Sequence, residues 1–178
     1  MAGLIDNVLE SSRLTARKQA LELVAVDLDR FFGGYFEEVR ARTEGQGVRL
    51  GVELATGSRV MATADALHRV MDNLLDNAVR FSDPGGEVRC RVSDHDGTAR
   101  IEVEDDGVGI PKKELPKIFD RFYQIGRPTD GRRCGSGLGL AIVSGLVREM
   151  WGTIQVHSQE GRPGTRFVIE LPRAEAPG

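Results

Sequence analysis

The apolar patterning predicts an α+β fold, a two-layer α/β sandwich with helices on one face of a mixed, mostly antiparallel sheet. Three observations predict it. Val88, Cys90 and Val92 alternate against Arg89 and Arg91, Ile101 and Val103 alternate against Arg100, Glu102 and Glu104, and Asp96-Gly97 between them is a two-residue hairpin signal. Ile154 and Val156, then Phe167, Ile169 and Leu171, repeat the alternation around Gly161-Arg162-Pro163-Gly164. Leu67, Val70, Met71, Leu74, Leu75 and Ala78 instead fall on one arc at helical spacing.

In chain order, Leu4, Ile5, Val8 and Leu9 share one face of a helix running to about Gln19, with little to pack on within itself. Leu21 to Leu28 reads as a short strand, Asp29 to Thr43 as a helix, and Val48, Leu50, Val52 and Leu54 as a half-buried strand. Ser58 to Ala62 is a further short strand before the helix from Asp65 to Phe81. The strand pair 88–92 and 101–103 follows, then a helix carrying Ile142, Val143, Leu146, Val147 and Met150, then the last two strands. The Pro/Ala-rich end after Pro172 is expected to be disordered. The expected organisation is residues 1–19 as a linker helix or the end of a hairpin helix, 20–173 as one domain, and 174–178 as a tail.

Composition narrows the function. A chain of 178 residues that is 40% hydrophobic can bury a substantial single core, hiding roughly 70% of its unfolded surface. The 24 basic and 27 acidic residues are interspersed and sum to −3, which argues against nucleic acid and polybasic membrane contact. No apolar run approaches the ~20 residues of a membrane helix, and Met1-Ala2-Gly3-Leu4-Ile5-Asp6 lacks signal-peptide order. Cys90 and Cys134 have no metal-ligand spacing.

Three ordered stretches carry chemistry. On the helix from Asp65 to Phe81, Asn73, Asn77 and Arg80 form a stripe beside the apolar arc, while Asp72, Asp76 and Arg69 lie on the far side and read as solvated. Spacing alone leaves the stripe open between surface amides and a polar site, although amide oxygens suit Mg²⁺. Asp105 ends a strand and is followed by Gly107, Gly109 and Ile110. Such a segment is either a tight turn or a carboxylate placed to accept from the amine of adenine. Gly135, Ser136, Gly137, Leu138, Gly139 and Leu140 open the last helix, either for packing or as a phosphate site built from free N–H groups and the helix dipole. Between the second and third stretches, Phe119, Phe122 and Tyr123 read on spacing as core aromatics of a helix, and Gln124 to Arg133 as a segment mobile until a ligand orders it.

Taken together, Asn73-Leu74-Leu75-Asp76-Asn77-Ala78, Asp105-Asp106-Gly107-Val108-Gly109-Ile110 and Gly135-Ser136-Gly137-Leu138-Gly139-Leu140-Ala141 resemble the boxes of the catalytic ATP-binding domain of bacterial sensor histidine kinases, members of the GHKL superfamily. The match runs from about Leu4 to Pro172. It implies the Bergerat-type ATP-binding fold, with Asn77 on Mg²⁺, Arg80 on phosphate and Asp105 on adenine. Ile118 to Tyr123 resembles the phenylalanine box ahead of the nucleotide lid, which adds Phe122 and Tyr123 to the ATP site; Gly164-Thr165 resembles the last glycine box and adds Thr165. Asn73 stands where water-splitting relatives carry a glutamate, and an amide cannot serve as general base, so rapid hydrolysis is not expected. Three departures are visible: Asp106 for a usual asparagine, Gln124 for a usual basic residue, which leaves Arg121 or Arg127 for phosphate, and Trp151-Gly152 for a usual glycine pair.

The resemblance implies a kinase that passes the γ-phosphate of ATP to a histidine on a separate dimerisation hairpin, with a response regulator downstream. None of His68, His95 or His157 has the context the resemblance requires of an acceptor, a hairpin helix with an acidic residue directly after the histidine: Asp96 follows His95, but at the turn between two strands. The fragment is expected to be monomeric alone and dimeric in a full-length protein, cytoplasmic, with both thiols free, in a protein that membrane anchoring remains open to. Two other functions fit the same boxes: an anti-sigma-factor serine kinase, and a module that senses ATP without transferring phosphate.

Overall fold

The computed structural model describes residues 21–125, 135–158 and 164–174. The expected helix from Leu4 to Gln19, residues 126–133 of the segment expected to be mobile, Cys134, residues 159–163 and the tail from 175 lie outside the described residues. The elements are β1 (Val24–Asp27), α1 (Leu28–Glu44), β2 (Arg49–Ala55), β3 (Arg59–Ala62), α2 (Ala64–Phe81), β4 (Glu87–His95), β5 (Thr98–Asp105), a 3₁₀ turn (Leu115–Lys117), α3 (Gly139–Glu149), β6 (Thr153–Ser158) and β7 (Thr165–Pro172).

Local chemistry sets the helix starts. The Asp27 carboxylate accepts from the Arg30 backbone N–H at 2.9 Å, and the Thr63 hydroxyl accepts from Ala66 N–H at 3.1 Å, so α1 and α2 each begin on a capping side chain. Each cap satisfies an orphan donor and is worth about 1 kcal/mol. α2 stops at Ser82, whose hydroxyl donates back to the Ala78 carbonyl at 2.8 Å, just ahead of Asp83-Pro84.

Five strands form the main sheet in the order β2-β4-β5-β7-β6; only β2 and β4 run parallel. β1 and β3 pair with each other in a separate antiparallel ribbon, Val24 opposite Ala62. Helices on one face of a mixed, mostly antiparallel sheet match the fold class predicted from the alternation. The hairpin at Asp96-Gly97 has positive φ at both residues, 40° and 80°, as a two-residue turn between twisted strands requires.

Register divides the sheet into a core face and a solvent face. On the core face, Val52, Cys90, Val103, Phe167 and Val156 lie opposite one another, as do Leu54, Val92, Ile101, Ile169 and Ile154. The apolar arcs of α1, α2 and α3 cover these rows, with Phe32, Leu67, Met71, Leu74 and Val143 excluded from solvent. On the other face Glu53, Arg91 and Glu102 align. Arg91 pairs with Glu53 at 2.7 Å, and Glu102 lies within 3.7 Å of each of Arg91, Arg100 and Arg166. Mixed charge lets this face stand in water without a covering layer.

One core-face row departs from this pattern. Leu50, Val88, Asp105, Thr165 and Ser158 lie in register, so the sheet turns polar at one corner under the helices.

Candidate functional site

Asp105 is the last residue of β5 and is almost fully buried. Its Oδ1 accepts from Gly107 N–H at 3.0 Å and from Thr165 N–H at 3.2 Å, whereas Oδ2 has no hydrogen bond among the described residues. One oxygen is therefore held by the fold and the other is left to accept from a ligand. Burial pushes the carboxyl up to about 6; the two backbone donors pull it down, and the neighbouring Asp106 and Glu104 charges add to the rise.

The segment after Asp105 bends under the end of α2. A Cβ at position 107 would collide with the Phe81 carbonyl, so only glycine lets the chain pass there. Gly107 O accepts from Gly164 N–H at 2.6 Å, tying this loop to β7. Gly109 holds φ 72°, and Ile110 N–H then donates to the Ser158 hydroxyl at 2.7 Å. Asp106, the unusual carboxylate, accepts from Glu87 N–H at 3.0 Å and so anchors the start of β4.

The amide stripe of α2 faces the start of α3. Asn73 Nδ2 donates to the Arg69 carbonyl at 2.7 Å, and its Oδ1 lies so close to Gly139 that a Cβ there would sit 2.6 Å away. One turn on, Asn77 is half-buried and has no hydrogen bond among the described residues. Arg80 runs beside the loop ahead of α3, its guanidinium 2.5 Å from where a Gly135 Cβ would stand. Asn73 and Arg80 are thus brought against opposite ends of the segment Gly135 to Gly139, with Asn77 between them.

That segment opens α3 without a side-chain cap on its first turn; among the described residues, Ser136 Oγ accepts from Leu138 N–H at 3.3 Å. Uncapped N–H groups and the positive end of the helix dipole suit an anion. Leu138 is buried and Leu140 half-buried against the core, which seats the helix start. Gly137 has φ 71°, and its carbonyl accepts from Phe122 N–H at 2.8 Å.

The aromatics before the lid depart from expectation. No helix forms over Ile118 to Tyr123; the chain makes a 3₁₀ turn and then bends, with Phe122 at φ 64° and 62% exposed. Ile118 and Phe119 are the residues that reach the core, Phe119 edge-on to Phe167 with 6.5 Å between ring centres. The Tyr123 hydroxyl donates to Glu114, and Gln124 donates to the Gly135 carbonyl at 2.8 Å. Gln124 therefore steadies the loop ahead of α3 at Gly135.

Asp72 and Asp76 are also not the freely solvated residues the helical wheel suggested. Asp72 accepts from the Tyr35 hydroxyl at 3.0 Å and from Arg42 at 3.2 Å, and Arg42 lies 3.6 Å from Asp76. The far side of α2 is bound to α1. Ser158 and Glu114 are functional candidates that the motifs missed; only strand register, which sets Ser158 opposite Thr165, could have pointed to Ser158.

The sequence profile of the histidine kinase-, DNA gyrase B- and HSP90-like ATPases matches residues 62–175, from α2 through the end of β7. The chain belongs to this ATPase family. Among relatives of this family, it is 29% identical over 177 residues to the sensor-like histidine kinase SenX3 of Mycolicibacterium smegmatis, an alignment covering 99% of this chain and 46% of that protein. The mycobacterial sensor histidine kinase MprB superposes with a TM-score of 0.73 at 33% identity, covering 86% of this chain and 99% of that structure. Full-length ShkA in complex with AMPPNP superposes with a TM-score of 0.83 at 31% identity, covering 99% of this chain and 36% of that one. The chain spans less than half the length of SenX3. It is an ATP-binding catalytic domain of the sensor histidine kinase type. Among the described residues, no helix is long and apolar enough to cross a membrane.

Proposed function

We propose that this domain binds Mg²⁺·ATP and transfers the γ-phosphate to a histidine on a separate dimerisation hairpin, from which a response regulator takes it. The observation that carries the reading is the convergence of three features around α2: Asp105, whose Oδ2 has no hydrogen bond among the described residues, the segment Gly135 to Gly139 that opens α3 without a side-chain cap, and the Asn73, Asn77 and Arg80 stripe, with Asn73 and Arg80 against that segment. The adenine amine would donate to Asp105 Oδ2, and the phosphates would lie along Gly135 to Gly139.

Asn77 fits a Mg²⁺ ligand. Its amide oxygen is a hard donor, it is half-buried, and no described residue competes for it. When bound, Mg²⁺ would neutralise charge on the phosphates; a single amide leaves its other positions to phosphate oxygens and water. Arg80 would add the second positive charge. Asn73, with its Nδ2 committed to the Arg69 carbonyl, orients its oxygen toward the start of α3 and offers no base to activate water. The protein's contribution is then positioning and electrostatic stabilisation, with the acceptor histidine supplied by the hairpin. Dimerisation belongs to that hairpin, the fragment itself is a monomer, and a supply of ATP places it in the cytoplasm.

The test mixes the domain with Mg²⁺, γ-labelled ATP and a separately made hairpin from a sensor histidine kinase. Acid-labile label on the hairpin histidine is expected. Nucleotide binding with no transfer to any hairpin would replace the kinase reading with that of a sensing module.

A further inference from the structure

Ser158 ends the edge strand β6 and lies outside every motif that points to nucleotide, yet its hydroxyl sits at the junction of three pocket segments. It accepts from Ile110 N–H at 2.7 Å and donates to the Gly164 carbonyl at 2.9 Å. Its oxygen also lies 3.4 Å from Thr165 Oγ1. A serine hydroxyl has one proton and two lone pairs. The Gly164 carbonyl can only accept, so the proton is committed there, and the amide of Ile110 can only donate, so one lone pair is committed there.

Toward Thr165, then, Ser158 can offer only a lone pair. The Thr165 hydroxyl proton is drawn to that side, and its own lone pairs are left facing away from Ser158. Thr165 is in register with Asp105 on the core face, and its backbone N–H holds Asp105 Oδ1. The corner therefore presents acceptors from both residues: Asp105 Oδ2 and the Thr165 hydroxyl oxygen.

We propose that Ser158 is a positioning residue for base selection, fixing the direction of the hydrogen bonds at this corner and pinning the glycine loop at Ile110, so that the pocket accepts from an amine and rejects a carbonyl. This rests on the reading of Asp105 as the adenine residue. Without the serine hydroxyl, Thr165 is free to turn its proton into the pocket and donate to the carbonyl oxygen that guanine carries where adenine has its amine. Ser158 does not itself touch the base.

The experiment measures dissociation constants of Mg²⁺·ATP and Mg²⁺·GTP for the unmodified domain and for Ser158→Ala, Ser158→Thr and Asp105→Ala, at about pH 8, where the Asp105 carboxyl is ionised. Ser158→Ala is expected to narrow the ATP to GTP affinity ratio about threefold to tenfold, the scale of one misdirected hydrogen bond. Ser158→Thr, which keeps the hydroxyl, is expected to restore the ratio. Amide exchange at Ile110 should quicken in the alanine variant. Should Ser158→Ala fail to fold, Ser158→Cys, a weaker donor and acceptor of similar size, is measured in its place with the same expectation. Equal loss of affinity for both nucleotides, or an unchanged ratio while Asp105→Ala changes it, overturns the role of Ser158. A ratio that Asp105→Ala leaves unchanged overturns the adenine reading beneath it.

Discussion

Tyr35 and Asp72 are 37 residues apart, and the tyrosine hydroxyl donates to the aspartate at 3.0 Å, tying α1 to the side of α2 that faces away from the pocket. The Tyr35 ring is buried and lies within 5.3 Å of the His68 ring, so the contact is anchored from both helices. Burial, followed by the charge of Asp72 and the hydrogen bond to it, pushes the phenol far above its ordinary range and keeps it a donor at all working pH. Tyr35→Phe is expected to lower stability by about 1 kcal/mol, the net worth of one such bond with Arg42 still pairing Asp72. Urea unfolding checks it: a midpoint unchanged from the parent would mean the bond contributes nothing.

Asn77→Ala should abolish Mg²⁺-dependent nucleotide binding and leave the thermal midpoint nearly unaltered. The side chain lies beside the apolar arc of α2, has no hydrogen bond among the described residues, and so supports no packing that alanine would undo. Calorimetric titration with and without Mg²⁺ separates the outcomes. Normal Mg²⁺·ATP binding by the variant would remove Asn77 as the ligand, and unfolding would make it structural.

ATP is expected to bind at least about tenfold more tightly than GTP, because facing the Asp105 carboxylate with a guanine carbonyl leaves two acceptors unpaired. Asp105→Ala should weaken ATP and narrow that gap while sparing the contacts at Arg80 and Gly135 to Gly139. Parallel titration of both nucleotides into both proteins decides it.

The same carboxyl predicts a pH dependence. Its folded value of about 6 exceeds the ordinary 3.8, so between these values the native state binds more protons than the unfolded one. Stability contributed by this group is therefore present below the ordinary value and falls as pH rises toward 6. Ligand preference runs the other way. As pH drops through about 6 the acid form gains a proton to donate to guanine, and the ATP preference should shrink between about pH 8 and about pH 5. An ATP to GTP ratio flat across that window, in a domain that remains folded, would contradict the assignment.

Incubated alone with labelled ATP, the domain should acquire no acid-labile phosphate. His68 is packed edge-on between Phe31 and Tyr35, the His95 ring nitrogen lies 3.6 Å from Asp96 at a hairpin tip, and His157 is on the edge strand β6. Stoichiometric label on any of them would show that the chain carries its own acceptor.

Trp151 occupies the left-handed position after α3, with φ 58°, its N–H bonded to the Arg148 carbonyl at 3.0 Å and its ring largely in solvent. A side chain other than glycine there costs about 1 kcal/mol or more, and an exposed ring recovers little of it. Trp151→Gly is expected to raise stability by up to about 1 kcal/mol, read as a higher thermal midpoint; a lower midpoint would mean the ring makes a contact that matters.

Local periodicity was enough to determine the strands, the three helices and the side of α2 on which Asn73, Asn77 and Arg80 stand, because burying one face imposes a period of 2 or 3.6 on the chain itself. The glycine positions were legible for a similar reason: a bend as close as that of Gly107 under the Phe81 carbonyl excludes any Cβ and therefore marks the sequence. Relations across the chain leave no such mark. The pairing of β2 with β4, the capture of Asp72 by Tyr35, the exposure of Phe122 and the junction at Ser158 each depend on which distant segment arrives opposite, and a hydroxyl or carboxylate reads the same in the sequence whether it meets water or a partner. Sequence determined which polar residues and glycines are gathered in the three motif stretches. Tertiary structure alone decided which of their oxygens are spent on the fold and which are left for a ligand, since hydrogen-bonding capacity is consumed by neighbours in space.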